Sequence, residues 1–455
     1  MTNMKKLAAS TLLASVGLGF GASSAWALLP IEHWTQPGGA QVWLVNSPGI
    51  PMVDVQVAFD AGSRRDPAGQ AGLASAVAMM ASKGVTAQAD APALDENALG
   101  QAWADLGASF GAQAGRDSFS YSLRSLTEPA LLQRAVALAA RQVASPGWPA
   151  DVWQRDRERW SASIKEADTR PGTVAAKAFT RAVYGAHPYG ALATGESLSR
   201  IDTAAMQAFH RRLIAACRAK VSIVGALDRA QADRLVQQLL APLQAPLQAA
   251  QDAAACGPLP DLPKVQALQA PVRENIPFAA AQAQVLIGQP GIARSSPDFL
   301  AVLVGNHILG GGGFTSRLTE QVREKRGLSY SVYSDFAPGL DAGAFTISLQ
   351  TRPDQAQQAL QVSQQTLQRF VADGPTDKEL KAAKDNLIGG FALRIDSNRK
   401  LLGNVSNIAW YGLPLDYLEH WTERVQALTV RDVRDAMQRM LQPERMVTVI
   451  VGGEQ

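Results

Sequence analysis

Five histidines, His33, His187, His210, His307 and His420, are the side chains best suited to metal binding or proton transfer. No two of them lie four apart, so no helix can bring two imidazoles onto one face to hold zinc. Each therefore reads as structural or exposed, His187 as a loop residue within Gly185-Ala186-His187-Pro188-Tyr189-Gly190. Gly107-Ala108-Ser109-Phe110-Gly111 has the spacing of a nucleophile elbow, which needs a strand before the serine and a helix after it. The pattern here is reversed: a helical segment, Leu94 to Leu106, precedes and a strand, Ser118 to Leu123, follows. Gly310-Gly311-Gly312-Gly313 runs into Phe314-Thr315-Ser316-Arg317 without the lysine of a phosphate loop. It reads as a flexible turn, open to backbone contact with an extended ligand, whose Thr315 or Ser316 caps a helix from Arg317 to Lys325. Gly327 ends that helix, and Leu328 to Tyr333 alternates as a strand. On local grounds alone, Arg323 complements the helix C-terminus and Tyr330 is a half-buried strand tyrosine.

The elements that position these residues occur twice. Tyr184-Gly185 and Tyr411-Gly412 each close a helical stretch 227 positions apart, and Ile201 to Gly225 recurs at the same interval as Leu428 to Gly452. Pro149-Ala150-Asp151 matches Pro375-Thr376-Asp377 at 226. A period this long signals two homologous domains, not a solenoid. Within each, Val53 to Phe59, Phe119 to Leu123 and Phe345 to Leu349 alternate as half-buried strands, while Pro129 to Val143 and Asp354 to Ala372 read as helices. The order predicts an α+β fold with helices packed on one face of a mixed sheet. The domains are 28–240 and 272–455, joined by a Pro-, Gln- and Ala-rich linker at 241–271.

Composition narrows the function classes. The 455 residues are 47% hydrophobic and 18% charged, enough for sizeable cores. Met1 to Lys6 is basic, Leu7 to Phe20 is apolar but too short to span a bilayer, and Ala25-Trp26-Ala27 offers a signal-peptidase site. Residues 1–27 thus read as a cleavable signal peptide, cut after Ala27, and the product as periplasmic or secreted with no membrane anchor. Without Lys5 and Lys6 the formal charge falls from +3 to about +1, which leaves no basic surplus for nucleic acid. Cys217 and Cys256 are too few for a disulfide scaffold; paired or as free thiols, both states stay open.

The segments Leu309 to Leu318 and Val322 to Tyr333 resemble the second-domain motif of the insulinase/pitrilysin-type zinc peptidases. Ala61-Gly62-Ser63-Arg64-Arg65-Asp66-Pro67, Gly72-Leu73-Ala74 and Lys83-Gly84 are similar to first-domain landmarks, and His187-Pro188-Tyr189-Gly190 with Gly195 to a third. The resemblance spans the mature chain and implies two such domains in a clam-shell arrangement. Active members carry His-x-x-Glu-His on the helix after Gly-Leu-Ala, two zinc ligands and a general base. Here Ser75 and Met79 stand at the histidine positions and Ala78 at the base. Glu158 alone lies where a third ligand is expected, so no metal and no cofactor are expected in this chain. The resemblance gives Arg323 and Tyr330 another role, as donors to the substrate carbonyl at the scissile bond. It implies a non-catalytic, substrate-binding subunit working with a homologous zinc-bearing chain on unfolded peptides. The alternative is a proteolytically inert peptide-binding, chaperone-like or scaffold protein of the same fold.

Overall fold

The computed structural model describes residues 30–88, 91–250 and 256–452; residues 1–27, read from the sequence as a signal peptide, lie outside them. The strands of the first half are β1 (Glu32–Thr35), β2 (Gln41–Asn46), β3 (Met52–Phe59), β4 (Gly84–Val85), β5 (Leu94–Asp95), β6 (Ser109–Ala114), β7 (Phe119–Leu126) and β8 (Lys220–Gly225). Those of the second are β9 (Val272–Ile276), β10 (Ala283–Pro290), β11 (Val332–Phe336), β12 (Ala344–Thr351) and β13 (Val447–Val451). The first sheet runs β1-β2-β8-β3-β7-β6 and the second β9-β13-β10-β12-β11. Apart from β1 the orders are equivalent, and so are the directions: β2 with β8 and β9 with β13 are parallel, and the other pairings are antiparallel. The duplication is thus a repeat of topology. The helices Pro171–Tyr184 and Asn398–Tyr411 begin and end 227 positions apart, as do Thr203–Leu213 and Val430–Met440. The helices Ala150–Ala167 and Asp377–Gly389 also begin 227 apart, one more than the proline-based match suggests.

Each half lays its own helices on one face of its sheet, as the α+β pattern predicts. The opposite face is covered by a helix from the other half, which the sequence reading did not anticipate. Alternate residues of β8 divide between two cores. Val221 and Ile223 join the first-half core, whereas Val224, with Trp43 and Val45 of β2, joins Leu401, Leu402, Val405 and Ile408 of the Asn398–Tyr411 helix. In return Ala175, Phe179 and Val183 of Pro171–Tyr184 pack on Val447, Val449 and Val451 of β13. Gly288 of β10 leaves room for Phe179; a Cβ there would lie 2.8 Å from its ring and 2.0 Å from the Phe345 carbonyl oxygen. Lys220 finishes one exchange, donating from Nζ to the carbonyls of Ala409 (2.9 Å) and Trp410 (3.1 Å) at a helix C-terminus, where positive charge is favoured.

One expectation is corrected, one is refined in its bounds, and one open question is settled. The linker does not begin at 241, because the helix Arg229–Ala250 runs through that position. Leu94 to Leu106 contains a short strand before its helix, Glu96–Asp105, and Ser109 opens β6 directly after it, so the elbow spacing falls on a helix-to-strand junction. Cys217 and Cys256 form a disulfide that ties the segment between the halves to the turn before β8.

With its cysteines 39 positions apart, the disulfide should contribute roughly 3–4 kcal/mol by restricting the unfolded chain. Replacing both cysteines by serine should lower the urea midpoint accordingly. Reductant should bring the wild-type midpoint down to the variant's and leave the variant unmoved.

Candidate functional site

The helix Leu73–Met80 follows Gly72, whose φ of 105° is left-handed and favours glycine. Asp66 accepts the N–H groups of Gly72 and Ala74, both at 2.8 Å, and so satisfies the helix N-terminus. Burial pushes its carboxyl up to about 6 against the pull of those N–H groups. Leu73, Ala74, Ala76, Val77 and Met80 are buried in the core, which leaves Ser75, Ala78 and Met79 together on the partly exposed face. The i, i+3, i+4 geometry that a zinc motif needs is intact. The donors are not: a hydroxyl, a methyl and a thioether do not fit zinc, and no one of them can serve as a general base.

Glu158 does not supply what is missing. It is an exposed residue of the Ala150–Ala167 helix whose carboxylate accepts from Gln154 at 3.3 Å. Asp156, one turn-face away, is the buried carboxylate, held by Arg155 (2.8 Å) and by Lys83 (3.4 Å), which also binds Glu96 (2.5 Å). Arg155 first and Lys83 with it keep the Asp156 carboxyl below its ordinary range. This ionic cluster was missed in the sequence because its members are scattered from 83 to 156. No group of three or more potential metal ligands occurs among the described residues.

The second-half residues are arranged differently from their local reading. Gly310 and Gly311 belong to a π-helical turn, His307–Gly311, and a second one spans Thr319–Glu324. The glycines are not there for flexibility. A Cβ on Gly310 would lie 2.5 Å from Ser334, on Gly311 2.8 Å from Asn306, and on Gly312 2.5 Å from the His307 carbonyl; only Gly313 faces open space. Ser316 is extended just before the helix, as a cap should be, but its hydroxyl bonds Thr319 Oγ1 at 3.0 Å. Gly327, at φ 60°, ends the helix as expected.

The strand then starts later than Leu328: β11 begins at Val332, and Tyr330 sits in a bend. Its neighbours are pinned. Leu328 is buried and its carbonyl accepts from Thr351 at 2.5 Å, while Ser329 donates to the Gln350 carbonyl at 2.7 Å. Tyr330 is therefore thrust outward and is 82% exposed, not half-buried. The Arg323 guanidinium lies between two exposed rings, 4.7 Å from the centroid of Phe314 and 4.9 Å from that of Tyr330. Phe314, 72% exposed, was missed as a site residue; a lone aromatic after a glycine run carries no periodic signal. Nε of Arg323 faces the Glu324 carboxylate at 3.4 Å, and stacking on the ring faces leaves the Nη groups and the phenol hydroxyl to donate outward. Arg317, at the other end of this helix, is anchored by a bidentate pair with Glu379 (2.6 and 2.8 Å) and by the Gly374 carbonyl (2.9 Å).

Two family models match, "Insulinase (Peptidase family M16)" over residues 41–195 and "Peptidase M16 inactive domain" over 200–387. The crystal structure of a peptidase M16 inactive domain from Pseudomonas fluorescens superposes with a TM-score of 0.85 at 34% identity, covering 93% of this chain and 98% of that one. The chain belongs to the M16 insulinase family. M16 relatives include the uncharacterized zinc protease Mb2805c of Mycobacterium bovis, 28% identical over 95% of both chains. A protease from Helicobacter pylori shares the M16 fold at a TM-score of 0.81 and 18% identity, with 93% of this chain and all of that one covered. This M16 member keeps both domains, and its sequence contains no His-x-x-Glu-His.

Partial burial opposes ionisation of Glu379, but Arg317 and the hydrogen bonds of Thr376 outweigh it and hold the carboxyl down to about 2. A carboxyl lowered in the folded state contributes stability fully above its ordinary value of 4.5 and loses it as pH falls through about 2. Between those limits the wild type should lose up to about 3 kcal/mol more folding free energy than Glu379→Gln. Urea unfolding of both proteins across that range measures the difference.

Proposed function

We propose that this chain is the non-catalytic, substrate-binding subunit of a two-chain M16 metallopeptidase. Its partner is a homologous chain carrying His-x-x-Glu-His and the zinc, and the substrates are unfolded peptides. The observation that carries the reading is the contrast between the two half-sites. The first has lost every ligand, whereas the second holds Arg323 and Tyr330 outward at the cost of exposing two large aromatic rings. The partner's zinc would supply the activated water. This chain's part is to present the guanidinium N–H groups and the phenol O–H to the carbonyl oxygen as it becomes an oxyanion. The glycine loop lies next to that pair and offers backbone to an extended peptide. The Cys217–Cys256 disulfide supports export to an oxidising compartment by the Met1–Ala27 signal peptide. No helix among the described residues is long and apolar enough to cross a membrane.

The purified chain should carry far less than one zinc per molecule by elemental analysis and cleave no peptide. Stoichiometric zinc together with activity that survives further purification would contradict the reading. Mixing with the zinc-bearing partner should switch on peptidase activity.

In that complex, Tyr330→Phe should lower kcat by about 10²–10³ with assembly intact, since a donor to the transition state is lost and the ring stays. A rise in KM at constant kcat would place Tyr330 in ground-state binding instead. Unchanged kinetics would remove it from the site.

A further inference from the structure

One large side chain beside Arg323 is accounted for neither by the core nor by the proposed chemistry. Phe314 is 72% exposed and belongs to no apolar core among the described residues, yet its ring lies 4.7 Å from the Arg323 guanidinium. We propose that Phe314 is a positioning residue, which fixes the Arg323 guanidinium with its Nη groups outward for the substrate carbonyl. The hold on Arg323 stands on geometry alone, and its use on a substrate carbonyl rests on the peptidase reading above.

The other cations of this segment are engaged by polar partners. Arg317 is paired with Glu379, and Lys325 Nζ lies 2.7 Å from Glu320. Arg326 Nη1 donates to the Gln321 carbonyl at 2.7 Å and to the Gln321 side chain at 3.0 Å. Arg323 finds only the Glu324 carboxylate among the described residues, 3.4 Å from its Nε and on an exposed side chain. An ion pair that long and that open to water restrains a flexible side chain weakly. The rings of Phe314 and Tyr330, at 4.7 and 4.9 Å, restrain it further, and the Arg323 side chain is only 29% exposed although residues 324–327 are all exposed. A ring face attracts the guanidinium while occupying none of its N–H groups, so the cation is ordered without being used up.

Phe314 stands on a rigid base. Gly310 and Gly311 lie against the buried Asn306 and Ser334, which exchange hydrogen bonds of 2.7 and 3.1 Å, and neither glycine has room for a Cβ. The Gly312 N–H reaches the His307 carbonyl at 2.7 Å. Gly313, at φ 63°, takes the left-handed turn that releases Phe314 toward solvent. On the far side Thr315 Oγ1 donates to the Gly312 carbonyl at 3.2 Å and Ser316 Oγ to the Gly313 carbonyl at 2.7 Å. With both flanks bonded, the ring keeps little freedom beyond its own rotamer. The glycine run is a pedestal for one aromatic side chain. Tyr330, on its bend, has the second ring but spends its hydroxyl on the substrate.

The test has two arms. In the isolated full chain, labelled at arginine, the ring currents should displace the Arg323 side-chain resonances, which Arg323→Lys identifies by their loss. Phe314→Leu should cut that displacement and Phe314→Tyr should keep it, with thermal melting unchanged in both because the ring serves no core. An unmoved Arg323 spectrum in Phe314→Leu would overturn the proposal. In the complex with the zinc-bearing partner, Phe314→Leu should lower kcat about two- to fivefold at constant KM, the factor that one cation–π contact at an exposed site supplies. Phe314→Tyr should restore it. In an Arg323→Ala background Phe314→Leu should cost nothing further, as expected of a residue that acts through Arg323. A rise in KM, or an undiminished loss in that background, would overturn the proposal by making Phe314 a direct substrate contact. A complex that tolerates Arg323→Ala without loss would contradict the peptidase reading and not the hold on Arg323, which the spectra of the isolated chain decide.

Discussion

Around β8 and β13 each sheet of this protein is apolar on both faces, and each half of the chain supplies cover for only one. β8 and β13 show the constraint most clearly. Their residues are buried almost without exception, and those of β8 alternate between two different cores. The uncovered face of each sheet is met by the equivalent helix of the other half, so Pro171–Tyr184 and Asn398–Tyr411 are exchanged across the molecule. A sheet left with one bare apolar face would lose on the order of 25 cal/mol for every Å² not removed from water. The exchange therefore ties folding of one half to presence of the other.

That mutual dependence keeps the architecture of the first half standing with no histidine or carboxylate on the helix Leu73–Met80. The helix Leu73–Met80 is held by Asp66 at its N-terminus and by five buried side chains beneath, none of which is a position of the zinc motif. Ser75, Ala78 and Met79 occupy the half-buried face, where only Ala78 packs against the core. The second half shows the opposite economy. Its loop glycines, the pinning of Leu328 and Ser329 and the anchor at Arg317 all serve to hold Arg323 and Tyr330 where they meet solvent. Exposed aromatic rings and π-helical turns are local departures from what stability favours, and such departures concentrate at functional sites.

The segment between the halves takes on a structural part of its own. Tied by the disulfide at one end and by Asp341 at the other, it is anchored by arginine and histidine side chains to its backbone carbonyls. Proline-rich chain lends itself to this arrangement, because each proline offers a carbonyl to accept while having no N–H of its own left to satisfy.

Although β1, β2, β6, β9 and β10 carried no strand reading of their own, the sequence by itself determined the duplication, the strands β3, β7 and β12 and the absence of a His-x-x-Glu-His motif. These follow from local periodicity and residue type, which do not depend on what lies across the chain. The run Val449-Ile450-Val451 of β13 even held the clue to two-sided burial, since a strand covered on one face alternates and this stretch does not. Tertiary structure alone decided the helix exchange, the pairing of Cys217 with Cys256 and the outward placement of Tyr330. The last shows why. Leu328 to Tyr333 alternates as a strand would, yet hydrogen bonds from Ser329 and Thr351 hold the chain in a bend until Val332. Those partners lie some twenty positions away in the sequence, beyond the range of any local pattern, and only the folded sheet brings them together.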